Sequence, residues 1–190
     1  MLQEITELDR FLLRLINQQW NHPFFDAILP FARNQYLWTP VYLFLLLFMV
    51  LNFRKQAFGW VLLFLLTFAV TDLISTQVIK EFIQRPRPCW DSITAGQVRM
   101  LIPCSHAYSF VSSHAANHFG IAAFLWVTYR HLQLRLLWMV WLWAALVAYA
   151  QVYVGAHFPF DILGGALLGW VAGNVMGRQY NRRFGLLQPT

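Results

Sequence analysis

Charge is scarce in this sequence. Asp, Glu, Lys and Arg make up 12% of the 190 residues, while 58% are hydrophobic and 17% aromatic. A soluble domain carries about a quarter charged residues. The shortage excludes one and points to a polytopic membrane protein. Acid is the scarcer sign: 8 Asp and Glu stand against 14 Lys and Arg, for a formal net charge of +6. Internal repeats and low-complexity linkers are missing, which leaves a single domain. Acidic residues come early and no small-residue cleavage site follows them, so a cleavable signal peptide is not expected.

Apolar runs fill the chain instead. A helix needs about 20 mostly apolar residues to cross a bilayer. Segments 37–53, 57–79, 136–154 and 160–177 are of that order. The last contains Gly164, Gly165, Ala166, Gly169, Ala172 and Gly173, small residues that let helices touch closely. A fifth span, 112–129, carries Ser112, Ser113, His114, Asn117 and His118, so one face must avoid lipid. Near the N-terminus, Ile5, Leu8, Leu12, Leu15 and Ile16 recur at helical spacing with charges between them. That pattern reads as an amphipathic helix at the interface. Segment 24–32 is apolar but too short to span, and is expected as a surface or half-buried helix. The fold expected is all-α: a polytopic transmembrane helical bundle of five spans. Interfacial helices would occupy 1–36, the membrane core 37–177 and a cytoplasmic tail 178–190.

Threading five spans sorts the loops onto two sides. One side receives the N-terminus, 80–108 and 156–159. The other holds Arg54, Lys55, Arg130, Arg135, Arg178, Arg182 and Arg183 in short segments with no acid. The positive-inside rule puts that second side in the cytoplasm. Loop 80–108 then faces outward, into the periplasm or its equivalent. Because the cations are split between two faces, the charge reports orientation and anionic headgroups, and nucleic acid is not implied. Cys89 and Cys104 both fall in the outward loop, where an oxidising compartment lets them pair. Two free thiols, or a metal site short of its other ligands, are the alternatives.

Three polar clusters fall on that same outward face. The first is Lys80 with Arg87, the latter set between Pro86 and Pro88. Arg is a planar fork suited to phosphate and Lys a mobile point charge. Snorkelling at a helix end explains many such cations, but a snorkelling residue needs no rigid mount. The second cluster, SFVSSHAANH over 109–118, offers Ser112 or Ser113 as an N-cap and His114 in the first helical turn. Such a helix start attracts anions, and a His there can protonate a leaving oxygen; an ordinary capped helix is the plainer reading. The third, QVYVGAHFPFD over 151–161, places Pro159 at a helix start, His157 just before it and Asp161 inside its first turn. The carboxylate can hold one imidazole nitrogen and leave the other free as a nucleophile, although a helix start favours an acid for its own sake.

These clusters resemble the three-part signature of the type 2 phosphatidic acid phosphatase family, which includes bacterial lipid phosphatases and the vanadium haloperoxidases. Lys80, Arg87 and Pro88 match its first part. Val111-Ser112-Ser113-His114 keeps the Ser and His of its second part, but not the Pro and Gly. The third part keeps the spacing of His157 and Asp161, while the usual Arg is replaced by Gln151. The resemblance implies that His157 attacks phosphorus to form a phosphohistidine. Asp161 would orient it, and His114 would serve the leaving group and then water. Lys80, Arg87, Ser112 and the Ser113 N–H would hold the phosphate oxygens, with Gln151 donating hydrogen bonds but no charge. Arg85 or Arg99, in the same loop, would supply the missing charge. His118, one turn beyond His114, either lines the pocket or makes a contact between spans. For Asp72, inside a span, a structural hydrogen bond is preferred to a functional role. Neither metal nor cofactor is implied, since no metal-ligand cluster appears.

The function expected is therefore metal-independent hydrolysis of a phosphate or pyrophosphate ester of a membrane lipid, at the outer face of a bacterial inner membrane. Candidate substrates are phosphatidate, phosphatidylglycerol phosphate, undecaprenyl pyrophosphate and the phosphates of lipid A. An outward site favours undecaprenyl pyrophosphate or another periplasmic-leaflet lipid. A lipid phosphotransferase and a non-catalytic lipid-binding protein are the alternatives.

Overall fold

The computed structural model describes residues 2–185, and all regular structure among them is helical. Helix α1 (Leu2–Arg14) runs on into a wider π-helical turn, Leu15–Gln19. Ile5, Leu8 and Phe11 are exposed on it while Asp9 and Leu13 are buried, so this helix offers an apolar strip to its surroundings. Helix α2 (Pro23–Ala32) starts at a proline, with the His22 side chain accepting from the Phe24 N–H. Leu29 and Ala32 are its buried residues, which makes it the half-buried helix expected there. A short 3-10 turn, Gln35–Trp38, leads into α3 (Thr39–Asn52).

The next rod is α4 (Arg54–Leu73), a wide turn over Ile74–Ile79 and α5 (Lys80–Ile83). It stops at Gln84, which takes a left-handed conformation with φ 52°. Arg85, directly after it, begins the stiff RPRP stretch over 85–88. After the long loop come α6 (Ser113–Tyr129), α7 (Met139–Tyr153) and α8 (Pro159–Arg183). Three stretches are long and apolar enough to cross a membrane: Gln35–Asn52, Gln56–Ile83 and Pro159–Arg183. Helix α7 is apolar but shorter, and α6 is almost wholly buried inside the bundle. Lipid-facing side chains such as Phe44, Leu51, Phe58, Leu163 and Leu167 stay exposed outside it. The architecture is an all-α transmembrane bundle. Expectation and structure differ in three respects: three stretches rather than five are long and apolar enough to cross, the rod expected over 57–79 runs on to Ile83, and α8 does not stop at 177. Tyr180 is fully buried and Asn181 donates to the Val127 carbonyl, so packing carries the helix on to Arg183. Residues 186–190 of the expected tail lie outside the described residues.

Close backbone contact between α6 and α8 sets the position of the site. Gly165, Gly169 and Gly173 lie one turn apart on the buried face of α8. A Cβ on them would collide with the carbonyl oxygens of Ser112, Ala116 and Gly120 in turn. Small residues let the helices meet backbone to backbone. At the head of this contact the Ser112 N–H donates to the Asp161 carbonyl at 3.0 Å, which brings the second and third sequence clusters together. The aromatic core of Trp60, Phe64, Phe124 and Tyr180 joins α4, α6 and α8. Leu13, Leu29, Val152, Tyr153 and Phe158 instead pack α1 and α2 against the turn between α7 and α8.

Candidate active site

The α7–α8 turn presents His157. Its peptide N–H and that of Ala156 both donate to the Gln151 carbonyl, so the chain folds back tightly before Pro159 opens α8. Asp161, on the first turn of α8, uses Oδ2 to cap its own helix by accepting from the Phe158 N–H at 2.9 Å. The same oxygen lies 3.5 Å from His157 Nδ1 and accepts from Ser109 Oγ. Ser109 Oγ is in turn 3.3 Å from Nδ1. Both partners of Nδ1 are acceptors toward the ring, so that nitrogen carries the proton and Nε2 presents its lone pair. Burial pushes the His157 imidazole down to about 4; Asp161 opposes that shift and Arg87 adds to it. The ring is therefore a neutral base at neutral pH, the state that a nitrogen nucleophile needs.

Nε2 opens on a cavity of about 360 Å³ lined by Arg33, Lys80, Arg87, Ser113, His114 and His157. The Arg87 fork is pinned by Nε to the Ala107 carbonyl at 2.7 Å and by Nη1 to the Ala156 carbonyl at 3.1 Å; Nη1 also lies 3.4 Å from His157 Nε2. Lys80, buried at the head of α5, donates to Ser113 Oγ at 3.0 Å. A rigid cationic mount, a helix start and a reactive imidazole from three distant stretches thus share one cavity. Ser113 and His114 also line a second, mainly apolar cavity of about 310 Å³, with Tyr42, Leu46, Phe64 and Phe68 beside the polar Asp72 and His118.

The remaining expected residues separate. Ser112 is the N-cap of α6, its Oγ accepting from the Ala115 N–H; it is fully buried and does not line the cavity. Gln151 is also fully buried, with Oε1 accepting from Arg33 Nε at 3.2 Å and Nε2 lacking a partner among the described residues. His118 lies in the apolar cavity, 3.3 Å from the Tyr42 hydroxyl and bonded to the His114 carbonyl. Asp72 accepts from Asn117 Nδ2 at 3.0 Å, the structural bond expected. Cys89 and Cys104 are joined as a disulfide, with Cα atoms 6.3 Å apart.

Neither arginine proposed to replace the charge missing at Gln151 stands in the cavity. Arg85 is committed to Asp161 Oδ1 at 2.7 Å and Asp9 Oδ2 at 2.6 Å, and its guanidinium stacks 4.1 Å above the Phe158 ring. Arg99 binds both oxygens of Asp26 at 2.9 Å and the Asn17 carbonyl at 3.2 Å, tying the loop to α1 and α2. Loop membership alone placed them near the phosphate; carboxylates on the N-terminal helices hold them elsewhere.

Sequence reading also missed three participants. Ser109 stood at the edge of the second cluster but was given no role. Asp9 looked like one charge among several on an amphipathic helix, yet it is buried, bonded to Arg85 and to the Phe160 N–H at 2.9 Å. Burial pushes the Asp9 carboxyl up, against the pull of Phe160 and Arg85. Arg33 follows α2, outside any motif, and nothing in the sequence pointed to it.

The chain is similar to known proteins in sequence and in fold. A lipid A 4'-phosphatase of Bacteroides thetaiotaomicron is 28% identical over 176 residues, covering 91% of this chain and 77% of that protein. The crystal structure of LpxE from Aquifex aeolicus superposes with a TM-score of 0.67 at 30% identity, covering 90% of this chain and 95% of that one. A transmembrane PAP2-type phosphatidylglycerolphosphate phosphatase from Bacillus subtilis shares the fold, with a TM-score of 0.70 at 23% identity over 97% of this chain and 90% of the other. The PAP2 superfamily profile matches residues 60–184, a stretch that holds Lys80, Arg87, His114, His157 and Asp161. The chain belongs to the PAP2 superfamily.

Proposed function

We propose that this protein hydrolyses a phosphate ester of a membrane lipid through a phosphohistidine on His157. The observation that carries the reading is the convergence of His157 Nε2, Arg87, Lys80, Ser113 and His114 on one cavity. In the first step the Nε2 lone pair attacks phosphorus. The bond from phosphorus to the lipid oxygen breaks, and His114, protonated in the complex with the anionic phosphate, gives that oxygen its proton. In the second step His114 takes a proton from water. The water oxygen attacks phosphorus, the P–N bond breaks, and orthophosphate leaves. Lys80, Arg87 and the free N–H groups at the start of α6 hold the non-bridging oxygens, the electrostatic and positioning work that dominates phosphoryl transfer. Asp161 and Ser109 keep the Nδ1 proton in place and stabilise the positive charge that grows on the ring.

The apolar cavity beside His114 suits an acyl or prenyl tail, with the headgroup turned into the cationic cavity. The likeness to a lipid A 4'-phosphatase supports a phosphomonoester on a lipid A headgroup as the first substrate to try. The cation distribution supports a site at the periplasmic face of a bacterial inner membrane. The test is orthophosphate release from detergent-purified protein, with chelator present, on lipid A, phosphatidate, phosphatidylglycerol phosphate and undecaprenyl pyrophosphate. Turnover on one or more that vanishes in His157→Ala, together with acid-labile 32P on the protein when a labelled substrate is quenched in alkali, is expected. Turnover that survives His157→Ala would sink the mechanism. Transfer of the phosphoryl group to another lipid without free orthophosphate would make the protein a phosphotransferase.

A further inference from the structure

Six of the seven cations on the site's side of the molecule, all but Arg14, form two sets. Arg10 is paired with Asp91, Arg85 with Asp9 and Asp161, and Arg99 with Asp26. Arg33, Lys80 and Arg87 line the cavity, and among the described residues no carboxylate pairs with any of the three. Clustered, partly buried like charges cost free energy unless something anionic neutralises them. Burial, and after it the charge of Arg87, push the Arg33 guanidinium below its ordinary range, so Arg33 feels the same field as the phosphate-binding pair.

Arg33 reaches the cavity from outside the segment that matches the family profile. It caps the C-terminal end of α2, where its N–H donates to the Leu29 carbonyl at 3.1 Å. Leu29 packs with Tyr153 and Val154 at the end of α7, so the α2 terminus is fixed against the turn that carries His157. The guanidinium uses Nε to bond Gln151 Oε1 at 3.2 Å, and among the described residues Nη1 and Nη2 make no hydrogen bond or ion pair with the protein. An uncharged amide acceptor is suited to that task. It orients the fork without neutralising it, which a carboxylate would not do, and without repelling it, which a cation would not avoid.

We infer that Arg33 is the third phosphate-binding cation of this site, delivered by the N-terminal helix α2 and aimed by Gln151. The inference rests on the phosphatase reading given above. It makes Gln151 a positioning residue and accounts for the charge that this position lacks. It also makes Arg33 and an arginine at 151 mutually exclusive. A guanidinium at 151 would remove the acceptor that holds Arg33 and set two cations against each other. With Arg33 gone, the same substitution would restore the charge.

The experiment compares wild type with Arg33→Ala, Arg33→Lys, Gln151→Arg and the Arg33→Ala/Gln151→Arg double variant, as purified full-length protein. Readouts are kcat, KM and inhibition by orthophosphate. Arg33→Ala is expected to lower kcat/KM by about 10²–10³-fold, the usual loss for one oxyanion donor, and to weaken orthophosphate inhibition by roughly 10-fold or more. Arg33→Lys should lose less. Gln151→Arg alone should impair turnover, and the double variant should exceed Arg33→Ala by about 10-fold or more. Orthophosphate binding by calorimetry to His157→Ala, with and without Arg33→Ala, reads Arg33 without any turnover. Wild type lacking turnover while Arg33 still governs that binding would sink the phosphatase reading alone. Orthophosphate binding and inhibition unaltered in Arg33→Ala, or a double variant no better than Arg33→Ala, would overturn the role given to Arg33.

Discussion

Arg85 donates Nη1 to Asp161 Oδ1 at 2.7 Å, across 76 positions of sequence. With its other terminal nitrogen it holds Asp9 of α1, so the carboxylate that orients His157 is braced from the N-terminal helix. Both acids are almost wholly buried, at 1% and 0% side-chain exposure, and removing the shared cation leaves two buried carboxylates without their partner. Arg85→Ala is expected to destabilise the fold by about 3–5 kcal/mol, the usual cost of breaking a buried pair. Arg85 is not in the cavity, so at temperatures where the variant is folded its loss should appear in kcat more than in KM. Thermal melts and steady-state kinetics on a lipid phosphate check both. An unchanged melting temperature would remove the bracing role.

The pH profile follows from His157. Its folded value of about 4 lies below the ordinary histidine range, so the free enzyme keeps a neutral nucleophile at pH 5 to 6. On this account the acid limb of kcat/KM due to His157 falls near pH 4. Stability has its own sign. The unfolded chain protonates this histidine near pH 6.5 and the folded one near 4, so between those values the unfolded state binds more protons. The contribution of His157 to stability is therefore complete above about pH 6.5 and is lost as pH drops toward 4. Melts from pH 8 to pH 4 for wild type and His157→Gln measure it as a smaller slope in the variant.

Gly169 tests the helix contact that aligns the site. A side chain there meets the Ala116 carbonyl and the Gly120 backbone, neither of which can swing aside. Gly169→Ala is expected to cost about 1–3 kcal/mol and Gly169→Leu to prevent folding. The exposed Leu167 on the same helix provides a control, with Leu167→Ala close to neutral in a detergent melt.

The bond between Cys89 and Cys104 spans 15 positions of the cavity-wall loop. By loop-closure entropy it contributes about 3 kcal/mol. Reduction, or Cys89→Ser with Cys104→Ser, should lower the melting temperature. Because Cys89 lines the cavity, the same change should raise KM. Equal melts with and without reductant would remove the structural role.

Much of the site was legible from short stretches. Lys80, Arg87, His114, His157 and Asp161 stand out as candidates because polar and charged residues are unusual in an apolar chain, and the helix starts at Ser113 and Pro159 are written in local capping signals. The partners were not legible. Arg85 and Arg99 share a loop with Arg87, yet carboxylates on α1, α2 and α8 claim them. Ser112 resembled a phosphate ligand but is occupied as an N-cap. Ser109, Asp9 and Arg33 carried no motif at all.

The all-helical membrane architecture and the candidate site residues were legible in the sequence alone, because they depend on hydropathy and on contacts within a few residues. The tertiary structure decided which cations remain unpaired. An arginine becomes a phosphate ligand only when no carboxylate reaches it first, and that competition is settled by helices that meet across the bundle. Among the described residues Lys80, Arg87 and Arg33 line the cavity without a carboxylate partner, whereas Arg85 and Arg99 are paired outside it, and no reading of neighbours along the chain separates these two outcomes.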